Sequence, residues 1–412
     1  MLVSLIGGGL AESFKSRNYN IFWMGQFNLG LGVWVYRLAV AWLTWEMTHS
    51  TAWLGTMAAG HMLPVLLLCP IAGVTADRFG HLRQLIVMIT LTGVTAGALA
   101  ILAESGRLTV EIMLALVLAN GVTRAFSIPS RQAIMPLLVE TRLLPAAIGF
   151  NSATYWAANF AGPALGGALI AWSGVGLALA YFVAGAVIAV ASLACMKLER
   201  TPRPAKPASF LADLTEGFRY AARHPGIRMM IAMELLLALF VQPYIEMLAS
   251  FADHVYGLGR GGLAVLASAS GAGAMTGGLW VAWRGRNEGL TRILLISSTS
   301  ALCALVVFAS SSILWLSLPA LFVTGFSVVV GSTCCSALIQ ASIEPQFRAR
   351  VMAFDSMMSV GGPAAGALLI GWLGTYFGVQ PPLIGAALLG LGLNFVLRPR
   401  VRAQTKLLEG GL

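Results

Sequence analysis

The sequence predicts an all-α integral membrane protein with twelve transmembrane helices in two pseudo-symmetric bundles of six. Three observations lead to this fold class. The chain is 58% hydrophobic and only 10% charged, whereas soluble domains carry about 25% charged residues. Its apolar residues form runs of the length that a helix needs to cross a bilayer, about 20 residues. Parts of the second half also repeat the first.

Twelve apolar runs are long enough to span a membrane, and most connectors between them are short. The runs cover residues 20–45, 52–74, 84–103, 108–127, 144–171, 175–196, 227–250, 262–283, 291–310, 312–335, 350–373 and 379–397. The connector 199–226 is longer and rich in Pro and basic residues. We therefore predict a first bundle at 1–198, a cytoplasmic linker at 199–226 and a second bundle at 227–412.

The linker carries a helical pattern of its own. Phe210, Leu214 and Phe218 recur every four residues, and acidic residues precede basic ones. This order suits the helix dipole, and the apolar spacing suits one helix face. We predict a short interfacial helix here, with an irregular solvated linker as the alternative.

Lys and Arg are concentrated on one side of the predicted membrane topology. They occupy the start and end of the chain, the linker and the loops after even-numbered runs, whereas the opposite loops hold only Arg107 and Arg260. Cytoplasmic loops carry an excess of Lys and Arg. We therefore predict a multi-pass protein of the cytoplasmic (inner) membrane with both termini cytoplasmic. The net charge of +10 follows from this topology, so no nucleic-acid partner is expected. No basic residue precedes the first apolar stretch, so no cleaved signal is expected.

An internal repeat supports the division into two halves. Segment 133–152 aligns with 337–356 at a constant shift of 204 residues. The identical pairs are Ala133/Ala337, Glu140/Glu344, Phe150/Phe354 and Ser152/Ser356. The sequence GPALGG at 162–167 is echoed by GPAAG at 362–366. Transporters built from such repeats hold substrate near the bilayer midplane between the halves.

The loop after the second run, GVTADRFGHLR, gathers charge and glycine in an otherwise apolar region. With the two six-span halves, it resembles the major facilitator superfamily, whose corresponding loop carries Gly-x-x-x-Asp-Arg-x-Gly-Arg-Arg/Lys. Gly73, Asp77, Arg78 and Gly80 match this motif. His81 and Leu82 replace the usual basic pair, and Arg83 comes one position late.

The resemblance implies that this loop latches the two halves when the transporter faces outward. Glycine permits close backbone approach, and an Asp is stabilised at the N-terminus of a helix, such as the one that begins near Arg350. We predict a cytoplasmic gate of Gly73, Asp77, Arg78, Gly80, Arg83 and Asp355. The alternative is an ordinary positively charged cytoplasmic loop.

The fifth run resembles the antiporter motif of the same superfamily, Gly-x-x-x-Gly-Pro-x-x-Gly-Gly, through Gly162, Pro163, Gly166 and Gly167, with Ala158 in place of the upstream Gly. Pro permits a bend, and small residues let helices approach closely. The resemblance implies a hinge typical of exporters, echoed by Gly362 and Pro363. Ordinary close packing is the alternative. The segments MTHSTAWLG, AFSIPSRQAIMPLLV and NSATYWAANFAGPALGG resemble more closely the group that contains the enterobactin exporter and transmembrane secretion effectors; this signal lies mainly in residues 20–200.

Four charged residues fall inside predicted spans, where charges are costly and usually functional. Arg37 and Glu246 lie on repeat-equivalent spans at similar depth, so we expect them to pair or exchange partners. A carboxylate surrounded by apolar residues favours its protonated form, which makes Glu234 a candidate proton carrier. The alternative for each Glu is a static ion pair or a snorkelling side chain. Arg124 lies where the superfamily often has a basic residue linked to proton transfer; a structural contact is equally compatible.

Six polar or aromatic residues are candidates for an amphipathic substrate cavity, although such residues also serve packing. They are Trp34, Tyr155, Trp156, Asn159, Gln242 and Tyr244. No metal or cofactor is expected, because the five Cys form no CxxC or Cys/His cluster. The sequence GAGAMTGG at 271–278 lacks the Lys-Ser/Thr of a phosphate loop, and small-residue helix packing explains it better.

Together these features predict a proton-coupled secondary exporter, without enzymatic activity, that works by alternating access as a monomer. Its expected partners are a small amphipathic substrate (a siderophore, drug or secondary metabolite), protons and the lipid bilayer. The alternatives are an importer or facilitator, and a non-transporting membrane scaffold or lipid-handling protein.

Overall fold

A computed structural model describes residues 16–140, 143–196, 219–284, 288–343 and 348–409. Within these ranges the side chains of some residues, Asp77 among them, are not described. All regular structure in the described residues is helical. The predicted all-α class is confirmed.

The helices follow the predicted apolar runs closely. In the first half they are α1 (Arg17–Thr48), α2 (Thr51–Phe79), α3 (His81–Glu104), α4 (Val110–Ile134), and α5 and α6, which are residues 144–173 and 175–194 of the segment Leu144–Ala194. In the second half they are α7 (Pro225–Val255), α8 (Gly259–Arg284), α9 (Leu290–Ser310), α10 (Leu314–Ser342), α11 (Arg348–Phe377), α12 (Gln380–Ala403) and the short α13 (Thr405–Glu409).

Eleven helices in the described part of the chain are long and apolar enough to cross a membrane. One of them, Ala161–Ala194, includes Gly174, whose backbone angles (φ 83°, ψ −174°) interrupt the helix. Only glycine adopts such angles without strain. Counting α5 and α6 separately is consistent with the predicted twelve spans, and the chain is a multi-pass membrane protein.

The seventh span is irregular in its second half. α7 consists of the α-helices Pro225–Phe240 and Tyr244–Ser250 and the π-helix Phe251–Val255. Pro243 lies at the break between the two α-helices, where its missing N–H cannot continue the hydrogen-bond ladder. Glu234 and Glu246 therefore lie on different pieces of the same span.

The chain forms two compact units. The first comprises Met1–Val40 and Leu63–Pro207, and the second comprises Ala41–Met62 and Ala208–Leu412. The core of the first unit includes Tyr19, Phe22, Leu85, Ile89 and Leu193, all nearly inaccessible. The core of the second joins residues of α7, α9, α10, α12 and α13. The division into bundles at 1–198 and 227–412 stays a prediction.

Both units use the same glycine packing between repeat-equivalent helices. In the first unit, a Cβ at Gly162 would overlap Trp34, and one at Gly166 would press on Val35. In the second, a Cβ at Gly362 would overlap Ala238, and one at Gly366 would overlap the Leu239 carbonyl. The glycines are 200 residues apart and their partners 204. α5 thus packs on α1 as α11 packs on α7, which supports the internal repeat.

Two other sequence motifs also find their place in the fold. Gly273 and Gly277, in the GAGAMTGG segment of α8, lie against the backbone of Phe322 and Phe326 on α10. This agrees with small-residue helix packing. The predicted interfacial helix at Phe210–Phe218 lies outside the described residues; residues 219–223 are helical.

The C-terminal helix α13 caps the start of α9. The Glu409 carboxylate accepts hydrogen bonds from the backbone N–H groups of Gly289 and Thr291, both at 2.8 Å. Burial acts to raise the pKa of Glu409, but these hydrogen bonds outweigh it and the pKa lies below its usual range. A negative charge at a helix N-terminus is also favoured by the helix dipole.

We predict that Gly366→Ala lowers thermal stability, because its Cβ would overlap the Leu239 carbonyl and the Pro243 ring. Overpacking of this kind costs about 1–3 kcal/mol. Thermal unfolding of the purified protein measures the effect. The matched control is Gly392→Ala on α12, whose Cβ would meet no atom within 4 Å; it should be unchanged or slightly more stable, since Ala favours helix. Equal melting temperatures for the two variants would contradict the packing argument.

We predict that Glu409→Gln lowers stability by about 1 kcal/mol at neutral pH, the size of a typical helix-cap loss. The pKa of Glu409 is lowered in the folded state. Its stabilisation is therefore fully present above the unfolded pKa of about 4.3, and it is lost as the pH falls through the folded-state pKa. The difference in melting temperature from wild type should shrink in acid. Glu288→Gln, an exposed neighbour, is the control and should show no such difference at either pH.

Candidate functional site in the membrane-spanning helices

Two carboxylates lie buried in the second unit and share partners on α10. Glu234 on α7 is 2% exposed and Asp355 on α11 is 5% exposed. The Ser332 hydroxyl lies 2.8 and 3.0 Å from the two Glu234 carboxylate oxygens and donates to them. The Ser336 hydroxyl lies 3.5 Å from Asp355 Oδ2. The two serines are one helical turn apart, so they present their hydroxyls on one face of α10.

A buried thiol also interacts with both carboxylates. Cys335 is fully buried, and its thiol lies beside Glu234 and close to Asp355. Asp355 Oδ1 is buried without a hydrogen-bond partner among the described residues. Within the same part of the chain, no basic side chain pairs with either carboxylate. The group of Glu234, Asp355, Ser332, Ser336 and Cys335 is called the carboxylate cluster below.

This arrangement is suited to binding a proton. An ionised carboxylate that is buried without a cation is costly, and two nearby carboxylates repel each other when both are charged. The serine hydroxyls can rotate, so they can donate to an ionised carboxylate or accept from a protonated one. The structure thus brings Asp355, predicted as a gate residue, to the same cluster as the predicted proton carrier Glu234.

The other predicted residues of the seventh span surround its break. Glu246 is 8% exposed. Tyr244 is buried, and its hydroxyl shares a hydrogen bond with Ser270 on α8. Gln242, in the turn itself, is partly exposed. Of the cavity candidates on this span, Gln242 is therefore the accessible one and Tyr244 has a packing contact.

In the first unit, the Arg37 guanidinium lies 4.4 Å from the centroid of the Trp34 ring. This distance corresponds to a cation–π interaction, which is favourable where water is excluded. Trp34 in turn rests on Gly162 of α5. A glycine of the antiporter-like motif therefore packs against the same Trp34 ring that contacts the Arg37 guanidinium. Arg124 is partly buried on α4.

The loop between α2 and α3 adopts a glycine-specific turn at one position only. Gly80 has φ +89°, a left-handed conformation that favours glycine. At Gly73, which is helical, a Cβ would meet no atom of the described residues within 4 Å; its role in the gate stays a prediction. Arg78 and Arg83 are exposed. The side chains of Asp77, Arg350, Tyr155, Trp156 and Asn159 lie outside the described residues.

Charged and polar side chains interact where the end of α1 meets the end of α7 and the start of α8. Trp45 Nε1 donates to Asp253 Oδ2 at 2.9 Å, and Arg260 pairs with Glu46 at 2.6 Å. The hydrogen bond from Thr51 to the Gly371 carbonyl joins α2 to α11 nearby. These contacts explain why Ala41–Met62 belongs to the second unit. The sequence placed Arg260 in a loop opposite the basic side without indicating that it pairs with Glu46.

The α10 residues of the carboxylate cluster were not predicted from the sequence. Ser332, Cys335 and Ser336 lie in the run GSTCCSALIQ, where small polar residues are compatible with simple packing. Their spacing was the available signal, because Ser332 and Ser336 are four residues apart in an apolar span. No group of His, Cys, Asp and Glu able to hold a metal ion occurs among the described residues.

The chain is similar to known transport proteins along most of its length. The family model described as transmembrane secretion effector matches residues 9–407. The chain is 23% identical over 363 residues to macrolide efflux protein A of Streptococcus pyogenes, covering 85% of this chain and 88% of that protein. It is 25% identical over 357 residues to the enterobactin exporter EntS of Escherichia coli, covering 85% and 83%.

A shorter match and two solved structures complete the comparison. The chain is 27% identical to the staphyloferrin A transporter of Staphylococcus aureus over 151 residues, which are 36% of this chain and 38% of that protein. A variant of the nucleoside transporter NupG has a TM-score of 0.69 at 14% identity, covering 94% of this chain and 99% of that chain. A bacterial homologue of the human lysosomal transporter Spinster has a TM-score of 0.67 at 14% identity, covering 95% and 98%. These two likenesses concern the fold.

Proposed function

The chain belongs to the transmembrane secretion effector family of major facilitator superfamily transporters, and we propose that it exports a small amphipathic molecule in exchange for protons. The membership confirms the resemblance inferred from the loop and glycine motifs. Two relatives that each match 85% of this chain are named for efflux of a macrolide and export of enterobactin. These names support outward transport and a substrate with both apolar and polar parts.

The observation that carries proton coupling is the carboxylate cluster. Glu234 and Asp355 are buried, close together and without a cation among the described residues. A proton taken up from outside the cell neutralises this cluster and removes the penalty of ionising it in a dry environment. Release of that proton to the cytoplasm restores the charge. The protonated cluster and the ionised cluster each favour a different conformation of the alternating-access cycle.

In this proposal the intramembrane charges of Arg37 and Glu246 couple the protonation of the carboxylate cluster to substrate binding. Arg37 is held over Trp34, and Glu246 lies beyond the break of α7. We place them as partners at the substrate level, where their pairing changes during the cycle. The proposed amphipathic lining consists of Trp34, Tyr155, Trp156, Asn159, Gln242 and Tyr244. Arg124 assists proton transfer.

The loop after α2 acts in this proposal as the cytoplasmic gate, through Gly73, Asp77, Arg78, Gly80 and Arg83. The hinge consists of Gly162, Pro163, Gly166 and Gly167 in the first half and of Gly362 and Pro363 in the second. The protein works as a monomer in the cytoplasmic membrane with both termini inside. The bundles at 1–198 and 227–412, joined by the linker at 199–226, move against each other.

Transport into inverted membrane vesicles tests the function. Radiolabelled macrolide and enterobactin serve as probes, with an acidic lumen that stands for the outside of the cell. An exporter accumulates at least one probe in the lumen, and a protonophore abolishes the accumulation. Gradient-driven removal of a preloaded probe from the lumen would indicate an importer. Equilibration that ignores the gradient would indicate a facilitator.

We predict that Glu234→Gln and Asp355→Asn each reduce gradient-driven accumulation by about tenfold or more, equivalent to ~1.4 kcal/mol. Both variants should retain exchange of labelled for unlabelled probe, because exchange needs the substrate site but no net proton transfer. Glu288→Gln removes the same charge at an exposed position and should behave as wild type. If both cluster variants keep full pH-dependent accumulation, the cluster does not carry the coupling proton.

We predict that Asp77→Asn slows accumulation and exchange alike by about tenfold, because a gate residue affects every conformational step, with or without net proton movement. Asp77→Glu, which keeps the charge, should recover part of the rate. Protein amount and melting temperature should match wild type. Unchanged transport by a properly inserted Asp77→Asn protein would remove Asp77 from the gate.

A further inference from the structure

A cavity of about 420 Å³ lies between the start of α9 and the end of α12 in the second unit. Three arginines line it: Arg292 from α9, and Arg398 and Arg402 from α12. Arg398 and Arg402 are four residues apart, so they project from the same face of α12. The only carboxylate on its described lining is that of Glu409.

The described lining carries three guanidinium groups and one carboxylate, so the positive charge of this cavity is only partly neutralised. The Glu409 carboxylate is occupied by the backbone N–H groups of Gly289 and Thr291. Arg398 Nε is buried and has no hydrogen-bond partner among the described residues. A buried donor without a partner is unusual in a folded protein, because it loses its bonds to water without replacement. The geometry therefore leaves an Arg donor available for a ligand that accepts hydrogen bonds.

The surroundings of the cavity indicate where such a ligand comes from. Leu295 and Ile296 form an apolar part of its wall, and Ile296 is 51% exposed. On α12, Phe395 and Val396, three and two residues before Arg398, are 75% and 55% exposed. Large apolar side chains exposed on a membrane-spanning helix face lipid tails. The cavity thus joins arginine donors to a lipid-facing surface at the helix ends.

We propose that this cavity binds the phosphate headgroup of an anionic phospholipid from the cytoplasmic leaflet, with the acyl chains against α9 and α12. Guanidinium groups bind phosphate through paired, charge-assisted hydrogen bonds. Basic pockets between helices on the cytoplasmic side are suited to anionic headgroups. The loop that precedes α9 belongs to the basic side of the membrane topology. Binding at this site is independent of the transported substrate and of proton coupling.

Native mass spectrometry of the detergent-purified full-length protein tests the proposal by titration with phosphatidylglycerol. The double variant Arg398→Gln, Arg402→Gln should bind the most tightly held phosphatidylglycerol about tenfold or more weakly, since it removes two guanidinium groups that would donate charge-assisted hydrogen bonds to the phosphate. The matched control is Arg400→Gln. It removes one positive charge from the same helix, but Arg400 is exposed and does not line the cavity, so its binding should equal wild type. The variant that matches it charge for charge is Arg398→Gln alone, which should bind the lipid more weakly than Arg400→Gln.

Two further titrations distinguish the occupants. Phosphatidylcholine should bind the wild type more weakly than phosphatidylglycerol, and inorganic phosphate should not displace the bound lipid. Displacement by inorganic phosphate would overturn the lipid assignment in favour of a soluble anion. Equal loss in Arg400→Gln, or equal binding of both lipids, would overturn the site itself. If the double variant fails to fold, as judged by helix content and melting temperature, Arg398→Gln alone is compared with Arg400→Gln.

Discussion

The cost of an unsatisfied polar group in a dry environment is the constraint on which this structure depends. No water reaches the hydrocarbon core to bind exposed N–H and C=O groups, so each span must satisfy its own backbone by forming a helix. The same rule acts on side chains. Thr92 and Thr123 share a hydrogen bond between α3 and α4, and Asn394 binds Ser298 and Thr299 between α12 and α9. Every interior polar residue therefore needs a defined neighbour.

In the proposed mechanism, the carboxylate cluster is where this constraint becomes useful for transport. A fully paired Glu would be a stable structural element with one charge state. Glu234 has hydroxyl partners that serve either protonation state, and Asp355 keeps one oxygen without a partner among the described residues. The two forms of the cluster are thus closer in free energy than those of an ion pair would be. A group of this kind can change its charge during a cycle, whereas an ion pair resists such a change.

The sequence predicted the fold because the bilayer demands a strong and simple pattern. The helices α1 to α12 correspond to the twelve apolar runs, and the glycine echo at Gly162 and Gly362 corresponds to equivalent packing in both units. The break in α7 at Pro243 was not predicted, because Pro is compatible with an intact span when neighbours satisfy the freed backbone groups. Likewise Gly73 could be matched to a motif, but one sequence cannot place the neighbours that decide its role.

The candidate site was predictable only in part, for a related reason. Charged residues such as Glu234 stand out in an apolar run, but Ser332, Cys335 and Ser336 resemble ordinary packing residues until α10 is placed against α7 and α11. The irregular α7 adds a second consequence. Glu234 and Glu246 are twelve residues apart, about 18 Å along a regular helix, and lie on opposite sides of its break. In the proposed cycle, a proton bound at Glu234 therefore acts on Glu246 through movement of the two helical pieces. A bend at Pro243 would tilt one piece relative to the other without breaking either hydrogen-bond ladder, which makes the break a suitable place for that movement.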